Sequence, residues 1–192
     1  RKLALAINAW LPEDIRVLGA ARARPDFHAR FAATGKQYRY SIWNHPAMNP
    51  LLRHVAWHVP RRLDIRAMRA AAAACVGRHD FRSFTANPGY ARQSTIRHLT
   101  RCEVRRRGPL LTVIIEGDGF LYKMCRGLVG TLVQVGLGKF PASEMRAMLQ
   151  KRDRRVAGMT APAHGLVLWK VFYSKRAAAQ VTPEAASAPP AG

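Results

Sequence analysis

Acidic residues are scarce in this chain: 11 Asp and Glu stand against 32 Lys and Arg, so the formal charge is +21 over 192 residues. A charge excess of that size raises a positive potential over much of the surface and draws in polyanions. Cysteine is scarcer still. Cys75, Cys102 and Cys125 are an odd number with no C-x-x-C pair, which supports neither a disulfide framework nor a zinc site and fits a reducing, cytoplasmic compartment. No apolar run approaches the roughly 18 residues of a membrane span. The phosphate loop of nucleotide hydrolases and the G-x-S-x-G nucleophile elbow are both missing, and Ser, His and Asp are not otherwise spaced as a triad. His54 and His58 lie four apart, but HVAWH lacks the adjacent Glu of a metalloprotease and runs into Pro60, so a strand or loop with packing histidines is expected and no metal site. No internal repeat of solenoid period is evident.

What is present is enough apolar chain, 48%, to bury a core in one domain or two small ones, which excludes a disordered basic tail as the whole molecule. The chain opens at Arg1 with no signal peptide, and Leu3, Leu5 and Ile7 lead directly into residues 8–12, so it reads as entered within a domain. Alternation predicts strands over residues 15–21 (IRVLGAA) and 38–43 (YRYSIW), joined by the basic connection DFHARFAATGK. Asp64 is placed to cap a helix that runs to about Val76 and stops at Gly77. Residues 95–106 and 110–116 predict two strands around Gly108-Pro109, the second (LLTVII) central. Leu121, Met124, Cys125, Leu128, Leu132 and Val135 recur at helical spacing up to Gly136 and Gly138. Gly127 and Gly130 inside that helix are expected to permit close packing rather than to cradle phosphate. A second helix over residues 142–151 and a buried strand over 165–173 close the domain. Residues 174–192, rich in Ala and Pro without period, are expected to be a disordered tail. The order of elements predicts an α+β fold with an antiparallel or mixed sheet flanked by helices.

Charge alone points to nucleic acid, although free use of Arg and Ala, as in the run of residues 70–74, accounts for part of it, and runs such as Arg105-Arg106-Arg107 are also read as solvated faces. Two constellations are more informative. In Lys36-Gln37-Tyr38-Arg39-Tyr40, strand alternation puts Tyr38, Tyr40 and Ile42 on one face with Arg39 facing away. These are either two core tyrosines or a ring on which a nucleobase stacks. In residues 117–126 (GDGFLYKMCR) a central strand turns through two glycines into a helix. A half-buried Arg126 there requires a carboxylate or phosphate partner unless it snorkels over the helix.

Taken together, NAWLPEDIRVLGA, DFHARFAATGKQYRYSIWN, GDGFLYKMCRGLVGTLVQVGLG and APAHGLVLWKVFY, with LDIRAMRAAAAACVGRHDFRSF and STIRHL between them, resemble the tRNA pseudouridine synthase A family in order and spacing over residues 3–173. The resemblance implies the pseudouridine synthase fold and isomerisation of uridine to pseudouridine in the anticodon stem and loop of tRNA. It also implies a cytoplasmic homodimer that needs neither cofactor nor metal. It makes Tyr38 the ring on the uracil and a candidate general base, Arg126 the partner of the catalytic carboxylate, and Phe120, Leu121 and Met124 the lining of the pocket. His28, Arg30, Lys36 and Arg97 match basic positions that touch RNA phosphates.

One part of the pattern is missing. The family's nucleophilic aspartate lies in a G-R-T-D-A-G-V-H segment upstream of the position of Leu3, and nothing like it occurs here. Asp118 adjoins the expected pocket but reads as a turn residue between glycines. The chain is therefore expected to be the C-terminal portion of such an enzyme, with N-terminal strands missing from residues 1–173, and inactive alone. A non-catalytic basic RNA-binding module and a structural RNA-binding protein are the alternatives.

Overall fold

The computed structural model describes residues 2–87, 89 and 94–174. Except for Ser174, the expected tail lies outside the described residues. The chain divides into two units, Arg1–Ala33 with Tyr173–Gly192, and Thr34–Phe172.

The larger unit is built on a six-stranded mixed sheet. Its strands are β1 (Ala33–Trp43), β2 (Trp57–His58), β3 (Gly77–Asp80), β4 (Ile96–Arg107), β5 (Leu110–Gly117) and β6 (Leu166–Tyr173), in the order β2-β1-β5-β4-β3 with β6 also on β1. The expected α+β architecture is the one observed. The β4–β5 hairpin turns at Gly108, whose φ of 59° suits glycine. β1 runs antiparallel to β5 with Tyr38 opposite Ile115, Tyr40 opposite Val113 and Ile42 opposite Leu111. This apolar face meets the helices, and Tyr40, Ile42, Leu111, Val113 and Ile115 are all fully buried. The other face carries Arg39 and Gln37 opposite Ile114 and Glu116, with an Arg101–Glu103–Arg105 ladder beside them.

Three helices belong to this unit: α2 (Ile65–Ala73), α3 (Met124–Gly136) and α4 (Glu144–Lys151). Asp64 caps α2 as expected, accepting from Ala67 N at 3.0 Å. α3 is apolar nearly all round and is correspondingly buried except at Arg126 and Gln134, which are half-buried. Its glycines set how closely its neighbours approach: a Cβ at Gly127 would collide with Phe84 O and one at Gly130 with Met159 O. Close packing, the expectation for these two residues, is what the backbone shows. The helix begins at Met124 rather than Leu121 because Lys123 takes a left-handed conformation, φ 58°.

Two expectations are corrected. Residues 165–173 form a strand, but not a buried one: Val167, Leu168 and Trp169 are 47–56% exposed. β6 pairs with β1, and among the described residues no strand pairs with its far side. A continuous apolar run does not distinguish a central strand from a marginal one. Residues 15–21 form no strand at all. A strand exists only as a member of a ladder, and what Val17 has instead is the side chain of Asn8, which accepts from Val17 N at 2.7 Å and donates to Val17 O at 2.9 Å. Ile15 and Leu18 are exposed.

Asn8 closes a helix in the smaller unit, α1 (Lys2–Asn8), on which Leu3, Leu5 and Ile7 are exposed. Farther along, Tyr173 packs its ring 5.2 Å from Phe27 and donates its hydroxyl to Ala29 O.

Candidate functional site

The site grows from the place where β5 runs out. Gly117 leaves the strand where any Cβ would press on His98 O, and Asp118 closes the turn by exchanging two backbone-directed bonds with His98, N–H to His98 O and Oδ1 from His98 N, both 3.1 Å. Asp118 is thus a turn residue, as expected. Phe120 follows and meets Tyr38 edge to face, ring centroids 5.0 Å apart at 81°. Such a pair contributes ~0.5–1.5 kcal/mol beyond its buried area and fixes the ring plane of Tyr38. Leu121 and Met124 are buried and back the pair from the core.

Tyr38 is half-buried. Burial, and secondarily the neighbouring Cys125 thiol, push its hydroxyl above the ordinary tyrosine value. It therefore stays a neutral phenol at neutral pH, equipped to stack and to donate a hydrogen bond.

One helical turn on, Arg126 leaves α3 half-buried. Its Nε donates to Ala161 O at 2.6 Å, and Ala161 N donates back to Arg126 O at 3.0 Å. No ion pair joins Arg126 to a carboxylate among the described residues. Beside it stands Tyr40, fully buried, whose hydroxyl donates to Pro162 O at 2.7 Å. Burial raises the Tyr40 pKa and the Arg126 charge pulls it the other way, which places the guanidinium within electrostatic reach. Tyr38 and Tyr40 lie about 7 Å apart on one face of β1. Tyr38 thus has Cys125 of α3 as an electrostatic neighbour, and Tyr40, two residues on along β1, has Arg126.

The remaining basic residues divide between the units. Lys36 lies opposite Gly117 in the ladder, and the Arg97 guanidinium sits against Gly119, so the two flank the turn that carries Phe120. In the smaller unit the His28 ring accepts through Nδ1 from the Arg30 and Phe31 amides, and the Arg30 guanidinium lies 5.5 Å from the Phe31 ring centroid. His58, in β2, spends a ring nitrogen on His45 O at 2.8 Å, and His54 accepts from Arg53 at 2.9 Å.

Sequence reasoning missed the roles of Ala161 and Pro162, whose backbone oxygens take up Arg126 and Tyr40. Nothing in side-chain chemistry marks a backbone acceptor. The Arg39–Trp169 stack on the opposite sheet face, 3.8 Å from guanidinium to ring, was equally invisible because its members lie 130 residues apart. Its only signal is that Arg39 alternates away from Tyr38.

The chain thus folds as a mixed α+β sheet carrying an edge-to-face aromatic pair and a half-buried guanidinium, in a strongly basic protein. Comparison with known proteins makes this specific. A family model described as tRNA pseudouridine synthase matches residues 71–174. The chain is similar to the tRNA pseudouridine synthase A of Bacillus pumilus, 45% identical over 168 residues that cover 88% of this chain and 68% of that protein. It is 41% identical to that of Acetivibrio thermocellus over 90% of this chain and 70% of the relative, and 44% identical to that of Shouchella clausii over 93% and 68%. The chain belongs to the tRNA pseudouridine synthase family.

Proposed function

We propose that this chain carries the substrate-facing part of a tRNA pseudouridine synthase, an isomerase of uridines in the anticodon stem and loop. What supports the reading is the Tyr38–Phe120 pair on the face of β1 that also carries Tyr40, together with Arg126, a half-buried guanidinium within electrostatic reach of Tyr40 and with no carboxylate ion pair among the described residues. In the reaction the N1 to C1′ glycosidic bond of uridine breaks, the uracil turns, and a C5 to C1′ bond replaces it. The C5 proton is lost and N1 gains one, so nothing is consumed and no cofactor is called for. Extruding the uridine from its stack costs a few kcal/mol. Stacking on Tyr38, at ~1–3 kcal/mol per base, offsets much of this. Lys36 and Arg97 hold phosphates beside the turn, and His28 and Arg30, within the smaller unit, are further phosphate contacts in this reading.

The nucleophilic carboxylate is not among the described aspartates. Asp26 is paired with Arg24, Asp64 caps α2, Asp80 is paired with Arg152, Asp118 closes its turn and Asp153 is paired with Arg155. Asp14 lies exposed in the smaller unit. Arg126 awaits an acid from outside these 192 residues, and the isolated chain binds tRNA without modifying it. The working enzyme is a cytoplasmic homodimer in this reading. No helix among the described residues is long and apolar enough to cross a membrane.

The test is tritium release from tRNA labelled at uridine C5, run beside a tRNA-binding assay. Binding without release is expected from the 192-residue chain. Release by this chain alone overturns the assignment of the nucleophile, and absence of tRNA binding overturns the functional reading. The DNA upstream of the Arg1 codon separates the enzyme from a non-catalytic RNA-binding module: a strand and loop bearing an aspartate belongs to the enzyme.

A further inference from the structure

We infer that Tyr40 is a positioning residue for Arg126, acting through the backbone of residues 161–165. The inference rests on the reading of Arg126 given above and deepens it. Arg126 is a flexible side chain with no ion pair among the described residues, yet for it to meet a carboxylate its guanidinium plane must be fixed beforehand. The structure supplies one restraint on the guanidinium itself, the bond from Nε to Ala161 O. That restraint is only as firm as the Ala161–Pro162 peptide.

Tyr40 is what makes the peptide firm. Its hydroxyl donates to Pro162 O at 2.7 Å, one residue past the carbonyl that holds Arg126. Its ring edge lies against Gly165, where an added Cβ would be 2.8 Å from Tyr40 Cε1 and Cζ and 2.8 Å from Ser41 O. Ser41 N donates to Gly165 O at 2.9 Å, so β1 and the segment are joined on both sides of the ring. The segment is thus wrapped around the tip of a fully buried tyrosine, and Ala161, at its near end, exchanges two bonds with Arg126. A phenylalanine at this position would keep the edge-to-face contact with Trp57, 6.4 Å away, and lose only the anchor. The need for a hydroxyl on a core ring is explained by what the Pro162 carbonyl positions next door.

The test is NMR of the arginine Nε–Hε groups in the 192-residue chain, comparing wild type with Tyr40→Phe. Arg69 provides the internal reference, since its Nε also donates to a backbone carbonyl, Val104 O, at 3.0 Å, far along the chain from Tyr40. Losing one buried hydrogen bond is expected to speed exchange at Arg126 Hε by roughly fivefold, with Arg69 Hε unchanged. Gly165→Ala, which crowds the ring and leaves the hydroxyl in place, should shift the Arg126 resonance and not that of Arg69. Unchanged Arg126 exchange in Tyr40→Phe overturns the inference, and so does equal acceleration at both arginines, which marks Tyr40 as a core residue only. No RNA enters this experiment, so its failure is separate from failure of the tRNA assay.

Discussion

Gly130→Ala tests whether backbone contact or helix propensity governs α3. In an isolated helix the change is favourable by about 1 kcal/mol, because alanine loses less backbone entropy than glycine. Here the new methyl would collide with Met159 O and lie 2.8 Å from Met159 C and 3.1 Å from Ala161 N. All three are backbone atoms, so no rotamer change relieves the clash, and residues 159–161 must move away from the helix. Overpacking of this kind costs typically ~1–3 kcal/mol, occasionally more. A clash with backbone atoms alone belongs at the upper end of that range, about 2–3 kcal/mol, so subtracting the propensity gain of about 1 kcal/mol leaves a net loss of about 1–2 kcal/mol. With a urea m-value of ~2 kcal/mol/M, the midpoint should fall by roughly 0.5–1 M. The displaced segment includes Ala161, so the Arg126 Nε–Hε signal should shift in the same variant. A midpoint at or above that of the wild type would show that propensity wins, and would refute the claim that glycine is there for close approach.

The remaining predictions concern charge. Affinity for tRNA should fall linearly with log salt, and Lys36→Ala and Arg97→Ala should each reduce the slope by about 1 if each neutralises one phosphate, as read from titrations at several salt concentrations. A substitution that weakens binding with the slope intact places that side chain away from the phosphates. Glu103 sits between Arg101 and Arg105, and the bond from Arg101 above all holds its carboxyl below the ordinary range. A depressed carboxyl contributes stability above its unfolded pKa and loses it as pH falls through its folded pKa. Glu103→Gln should therefore lower stability slightly at neutral pH, by little because the pair is partly exposed, and leave it unchanged at acid pH, so that the acid limb is flatter. An acid limb identical to that of the wild type would sink that reading.

The parts legible in the sequence were those carried by period and by caps. The helical spacing from Met124 to Val135, the Asp64 cap and the β4–β5 hairpin follow from local chemistry that tertiary contacts did not override. The parts misread depend on partners. Residues 15–21 have strand composition, but Val17 finds its hydrogen bonds in the Asn8 side chain rather than in a ladder. Residues 165–173 are apolar enough for a central strand, and their position beside β1 leaves Trp169 half exposed under Arg39. In the site, Tyr38 and Arg126 could be singled out because their side chains announce stacking and charge. Ala161 and Pro162 could not, since they act through carbonyl oxygens whose positions only the folded chain determines.

The electrostatics of the two central residues constrain the chemistry further than their identities do. A phenol raised by burial is a poor proton acceptor at neutral pH, so Tyr38 reaches a base-competent state only if something charged arrives to stabilise the phenolate. In the proposed function Tyr38 holds the uracil through its ring while its neutral phenol donates a hydrogen bond. On this reasoning Tyr38→Phe in a competent enzyme slows turnover without introducing a new pH dependence between 6 and about 9. A rate that rises through that window in the wild type and is flat in the variant would instead identify a tyrosine titrating as the base.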